Sequence, residues 1–248
     1  MFKEGCLNVG REEKGEDVRV WKRYAAILFT GLFIASAGVA VTADVDFDPS
    51  TFNPGVGETV TLALCQGCFG SDVAEIEWDL DGDGRFETET AGQATVDAQY
   101  TTEGYVEVTV RVADSAGYRA SRTKGLYIGD APLIAERTQM VDRDGSIYVL
   151  IMVTAQSTIS SPGVAEAPPT GYMMEIVDDS GGLVKREGER YVILWMEMLY
   201  ESEVRTLAYR LYPAGGPTST MFDGLMSSYS NGRRFEAPVC GEVFIADP

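Results

Sequence analysis

The chain has 248 residues, a formal net charge of −18, four cysteines and no histidine. Its length allows one or two domains, and 45% hydrophobic with 23% charged residues describes a globular chain, not a disordered one. The missing histidine excludes Ser-His-Asp and Cys-His nucleophiles, the HExxH zinc site and any histidine proton shuttle. The acidic balance argues against a protein that neutralises nucleic-acid phosphates.

Residues 1–18 are polar and of mixed charge. Arg19, Lys22 and Arg23 then lead into the uncharged stretch 24–43, YAAILFTGLFIASAGVAVTA. A basic flank, an apolar core and a small-x-small ending (Val41-Thr42-Ala43) form the layout of a secretory signal peptide, with cleavage expected after Ala43. The alternative is an uncleaved signal anchor, because 20 uncharged residues can just span a bilayer. Either way the basic side faces the cytoplasm and the rest of the chain is expected to be exported, extracellular or on the cell surface. The preface is long for a signal peptide, and a true start near Val18 or Val20 would explain it. Residues 1–43 hold six basic and five acidic residues, so residues 44–248 carry 14 basic and 33 acidic ones, a net of −19. Such a surface keeps a protein soluble by self-repulsion.

Three cysteines follow the leader. Cys65-Gln66-Gly67-Cys68 is expected to close a small disulfide loop in an oxidising compartment. A redox CxxC would need a βαβ context, and a metal knuckle would need more Cys or His ligands. Cys240 is left over, either a small buried residue in a strand or an intermolecular link.

From Phe47 onward short alternating runs are broken every eight to twelve residues by Gly, Pro, Asn or Asp. Strands are predicted over 59–64 (TVTLAL), 75–80 (EIEWDL), 105–112 (YVEVTVRV) and 118–128. In the third, four valines fall on one face, the mark of a half-buried antiparallel strand. Gly129-Asp130-Ala131-Pro132 reads as a domain boundary. Beyond it the pattern restarts. Strands are predicted over 147–154, 191–198, 204–212, 218–229 and 239–245, and 163–170 reads as a Pro-rich loop. Trp195 is expected to be buried. No amphipathic helix of three turns follows the leader. The expected fold is all-β: two tandem Ig-like antiparallel β-sandwich domains after an N-terminal signal or anchor helix. The boundaries are 1–43 for the leader, 44–129 for the first sandwich and 130–248 for the second.

The densest motif is Trp78-Asp79-Leu80-Asp81-Gly82-Asp83-Gly84-Arg85-Phe86-Glu87. Asp79, Asp81 and Asp83 occupy positions 1, 3 and 5 of a calcium loop, with Gly84 at position 6. Position 12 is Thr90, where a bidentate Glu is required, so an EF-hand is not formed. Looser calcium coordination through Asp81, Asp83 and Glu87 remains open; no other cofactor is expected. The simpler reading is a hairpin turn in which glycines supply φ > 0 and aspartates cap the backbone.

Three pieces in order, Pro54-Gly55-Val56-Gly57-Glu58-Thr59-Val60-Thr61-Leu62, Ile76-Glu77-Trp78-Asp79-Leu80-Asp81-Gly82-Asp83-Gly84, and Tyr105 to Gly117, resemble a PKD (polycystic kidney disease) domain. The resemblance covers about residues 45–129. The Cys65–Gly70 segment departs from the family, which carries a Ser/Asp/Gly loop there. The resemblance implies an Ig-like sandwich in an exported protein, serving adhesion, spacing or ligand contact without catalysis. The second half is weakly similar to Ig-like modules of prokaryotic surface proteins, through Pro169-Thr170-Gly171-Tyr172 and the segment 206–213.

No GxSxG, phosphate-cradling glycine loop or HxE motif is present, so no enzyme is expected. Three readings remain. One is a non-catalytic secreted or surface module for adhesion or structure. The second is a glycan-binding accessory protein using exposed aromatics among Tyr172, Tyr191, Trp195, Tyr200, Tyr209, Tyr212 and Tyr229. The third is a membrane-anchored component of an envelope assembly. The partner would be an extracellular protein or a glycan, not nucleic acid, with membrane contact only through residues 24–43 if they are retained.

Overall fold

The computed structural model describes residues 45–65, 73–90, 93–115, 117–215 and 220–245. The leader and Cys68 lie outside the described residues. Those described form strands and turns and no helix, so the expected all-β class is present. None of the described segments is a helix long and apolar enough to cross a membrane.

The first half contributes β1 (Phe47–Pro49), β2 (Thr59–Leu64), β3 (Val73–Asp79), β4 (Thr88–Glu89), β5 (Thr95–Gln99), β6 (Gly104–Asp114) and β7 (Arg119–Ile128). The strands β1, β2 and β5 make a three-stranded sheet. It packs on β3, β6 and β7 around a core that includes Phe47, Leu62, Ile76, Trp78, Val108, Val110, Val112 and Leu126. The alternation that predicts β6 places Val108, Val110 and Val112 fully inside, with Val106 half-buried at the rim.

The second half contributes β8 (Leu133–Val141), β9 (Ile147–Ala155), β10 (Ile159–Ala167), β11 (Tyr172–Asp178), β12 (Leu183–Glu187), β13 (Arg190–Leu194), β14 (Met198–Leu199), β15 (Val204–Pro213), β16 (Asp223–Ser230), β17 (Arg233–Pro238) and β18 (Cys240–Glu242). A six-stranded sheet runs β12-β13-β10-β16-β17, with β14 added on β10. It faces β11, β15, β9 and β8 across a second core that includes Ile151, Ile193, Trp195, Tyr209 and Met226. The buried position expected for Trp195 is observed, and its indole N–H donates to the Asp179 carbonyl at 2.8 Å.

A nine-stranded sheet, β11-β15-β9-β8-β18-β7-β6-β3-β4, runs through both halves. Between β7 and β8 lies β18, antiparallel to β7 and parallel to β8. Near the joint, the Asn53 amide donates to the carbonyls of both Tyr127 and Gly129 at 2.8 Å.

Several stretches differ from the sequence reading: β8, β11, β12 and β17 lie where no strand is predicted, the strand predicted over 218–229 is β16 from Asp223, and that over 239–245 is a strand only at Cys240–Glu242. Residues 163–170 are not a loop throughout: β10 continues to Ala167 as an inner strand between β13 and β16. Pro162 is accommodated because the ladder is already broken there. The register to β16 shifts between Ser160 and Gly163, and Ser161 has φ 49°. The run 191–198 is a strand only to Leu194; the chain then bends and re-enters the sheet as β14.

Candidate functional site

Trp78 ends the buried face of β3, meeting Phe47 edge-on at 5.4 Å. The next residue, Asp79, has nowhere to send its charge except the turn that follows. It is only 3% exposed, and its two carboxylate oxygens accept the N–H groups of Gly82 at 2.8 Å and Gly84 at 2.9 Å. Asp81 accepts from the Asp83 N–H at 3.2 Å, and Asp83 from the Arg85 N–H at 2.8 Å. These are Asx turns, in which a carboxylate replaces a backbone acceptor. Gly82 is needed twice over. Its φ is 75°, and a Cβ there would lie 2.9 Å from the Glu107 carbonyl oxygen.

This folding brings the predicted ligands together. One oxygen each from Asp81, Asp83, Glu87 and also Asp79 all lie within 4.8 Å of one another. Asp79 is the addition the structure makes: sequence spacing put it at position 1 of the calcium loop but not among the looser ligand set. Asp81, Asp83 and Glu87 are exposed. The Arg85 guanidinium lies 4.0 Å from Asp83. The Tyr100 hydroxyl donates to the Leu80 carbonyl at 2.9 Å; burial first, then Asp81 and Asp79, push its phenol up to about 12. Clustered hard oxygens are the donor type that Ca²⁺ takes.

The aromatics considered for glycan contact separate into two groups. Trp195 and Tyr209 are buried in the second core, while Tyr172 and Tyr191 pack partly against it. Tyr212 donates its hydroxyl to Glu175 at 2.9 Å. Tyr200 and Tyr229 remain, 60% and 47% exposed. Tyr229 and Met198 both pair with Ser160 from opposite sides of β10, so they share one row on the outer face of the six-stranded sheet.

Cys240 is a buried free thiol, raised to about 12 by burial and then by Glu136. It occupies β18, as its strand reading required.

Two ionic clusters built on buried charges escaped the sequence reading. In the second core the Arg137 guanidinium pairs with Glu166, which also accepts the Tyr209 hydroxyl at 3.0 Å. Arg137 further donates to the Glu242 carbonyl at 2.8 Å and lies 4.6 Å over the Phe222 ring. A Cβ on Gly224 would fall 1.9 Å from the Glu166 oxygen, so glycine there makes room for the pair. The second cluster lies where the halves meet. Glu242 bonds Arg122 at 2.8 Å and Lys124 at 3.6 Å, and Lys124 also bonds Asp46 at 2.9 Å and Asp48 at 3.3 Å. The available signal was parity: Glu166 and Lys124 each fall on the inward face of a strand, where a charge requires a partner.

No family model matches the chain, and no curated protein matches it. Among solved structures it is similar to a chitinase from Bacillus thuringiensis, at 11% identity and a TM-score of 0.37, covering 73% of this chain and 28% of that one. It is similar to carbohydrate-binding modules of the β-sandwich superfamily at 11% identity and a TM-score of 0.31, covering 73% of this chain and 94% of that one. A third likeness is to fibronectin(III)-like modules of Clostridium thermocellum, at 9% identity and a TM-score of 0.32, covering 82% and 94%. At such identity and overlap these likenesses carry no functional argument.

Proposed function

We propose that the chain is an exported, non-catalytic β-sandwich protein that acts at the cell surface as a structural or adhesive spacer. The observation that carries this reading is the nine-stranded sheet, which makes one continuous scaffold from two sandwich cores. The net charge of −19 on residues 44–248 suits a solvated outer surface. The basic-apolar-small layout of residues 1–43 supplies the export signal, cleaved after Ala43 or kept as an anchor through 24–43. The PKD kinship of residues 45–129 is part of the same proposal: its three motif pieces fall on β2, on the end of β3 with the turn after it, and on β6. So is the Cys65–Cys68 bridge, supported by Cys65 not being a free thiol. Fractionation of cells making the full chain tests the proposal. Recovery outside the cytosol is expected, released by high salt if secreted and by detergent alone if anchored; recovery in the cytosol refutes it.

A calcium ion held by Asp79, Asp81, Asp83 and Glu87 would brace the β3–β4 turn. Thermal melts with calcium and with chelator should then differ, and identical midpoints would count against the ion.

The exposure of Tyr200 and Tyr229 favours glycan contact as a second reading, since an exposed ring face can stack on a sugar. A glycan array with the wild type and with Tyr229→Ala tests it; absence of binding removes the idea.

A further inference from the structure

The last strand of the described residues is also the strand on which the continuous sheet depends. β7 and β8 are not paired with each other; each pairs with β18, which fills the slot between them. β18 is three residues long, and each residue has a distinct task. Cys240 sits opposite Glu136 of β8. Gly241 lies between Gly125 of β7 and Arg137 of β8. It adopts φ 83°, and a Cβ there would lie 2.3 Å from the Arg137 carbonyl oxygen. No other residue type fits that slot without moving β8 away. Glu242 is buried and bonds Arg122 and Lys124 of β7, while its carbonyl accepts from Arg137 of β8.

β18 itself belongs to the second half. A single residue, Val239, separates it from β17, and Val239 donates to the Gly224 carbonyl at 3.0 Å. Just after β18, Val243 accepts the Phe222 N–H at 2.9 Å and Ile245 donates to Thr220 at 2.7 Å. The strand is therefore fastened to one core and reaches across to the other. Other ties across the joint are smaller, among them the Tyr127–Phe235 edge contact at 5.4 Å and Phe52, which packs against both cores.

We infer that β18 is a latch: its insertion between β7 and β8, sealed by the Glu242 ion pairs, makes the two sandwiches unfold and move as one body. Tandem sandwiches without such a strand are joined by a linker and are free to bend. With it the chain is a stiff spacer of fixed length. The inference concerns the isolated protein and holds whether or not the chain is exported.

Calorimetry on the full chain tests it. The wild type should melt in one transition, with a ratio of calorimetric to van't Hoff enthalpy of about one. Gly241→Val should split this into two transitions, with the ratio moving towards about two, as two independent units require. Two transitions in the wild type would overturn the latch, and so would a single lowered transition in Gly241→Val. If Gly241→Val does not fold, Glu242→Gln carries the test: it leaves the backbone in place and should still raise the ratio. An unchanged ratio in Glu242→Gln would equally overturn the inference.

Discussion

Glu166→Ala would leave the Arg137 guanidinium inside the second core with no counter-charge. Arg137 is 3% exposed and Glu166 is fully buried, so water cannot replace the lost carboxylate. The pair also holds the Tyr209 hydroxyl, whose phenol burial and then Glu166 drive well above its ordinary value. Burial lowers the Arg137 pKa while Glu166 and Tyr209 raise it; a guanidinium keeps its proton in a protein even without such partners, so the arginine stays charged after truncation. Removing one partner of a buried pair costs about 3–5 kcal/mol. At roughly 2–4 °C per kcal/mol for a chain of this size, the melting temperature should fall by roughly 6–20 °C. The assay is urea unfolding followed by tryptophan fluorescence, which Trp195 in the same core reports. The double variant Arg137→Met with Glu166→Met removes both charges and should recover most of the loss, because apolar replacements of a buried pair are often neutral. A loss below about 1 kcal/mol for Glu166→Ala would match an exposed pair and refute the reasoning. A double variant no better than the single one would refute it too.

Three further outcomes are expected. Gly82→Ala should lower the urea midpoint more than Gly84→Ala: both have positive φ and owe about 1–3 kcal/mol for it, but only Gly82 also faces a backbone oxygen at 2.9 Å. Equal losses would show that the Glu107 contact does not matter. The Lys124 pKa responds first to burial, which lowers it, but Asp46, Glu242 and Asp48 outweigh that and raise it above 10.5. Its pairing therefore stabilises the fold fully below about pH 10.5 and is lost as pH rises through the higher folded value. The stability gap between wild type and Lys124→Met, measured in urea, should hold through neutral pH and narrow as pH rises past about 10.5; a gap that persists unchanged on the alkaline side would contradict this. Glu242 is pulled both ways: burial, the larger effect, raises its carboxyl, while Lys124 and Arg122 lower it. The lysine is the better reporter because three carboxylates converge on it. Finally, Cys240 should resist alkylation in the native state, since it is buried and its thiol is raised to about 12. Rapid labelling before unfolding would show that β18 opens.

Strand content was legible where alternation was clean. β6 carries valines at every second position from Val106 to Val112, and β2 alternates in the same way, so burial on one face follows directly from the period. The Asp-Gly turn was legible as well, because its chemistry is local: each carboxylate caps an N–H two to five residues on. β10 was obscured by Pro162 and Gly163, which signal a loop unless the bulge between Ser160 and Gly163 is known. The latch was illegible for another reason. VCGEVFI reads as an ordinary terminal strand, and nothing local tells which edges it joins. The Arg137–Glu166–Tyr209 cluster joins residues 29 and 43 positions apart, a pairing that only the tertiary fold defines. The exposure of Tyr200 and Tyr229, against the burial of Tyr209, likewise depended on strand register and not on composition.

The central claim, that residues 44–248 work outside the cell, is met most directly by protease shaving of intact cells that make the full chain. Peptides from this region should be released while a cytosolic marker stays intact. Full protection of the region, lost only when the cells are lysed, would contradict it.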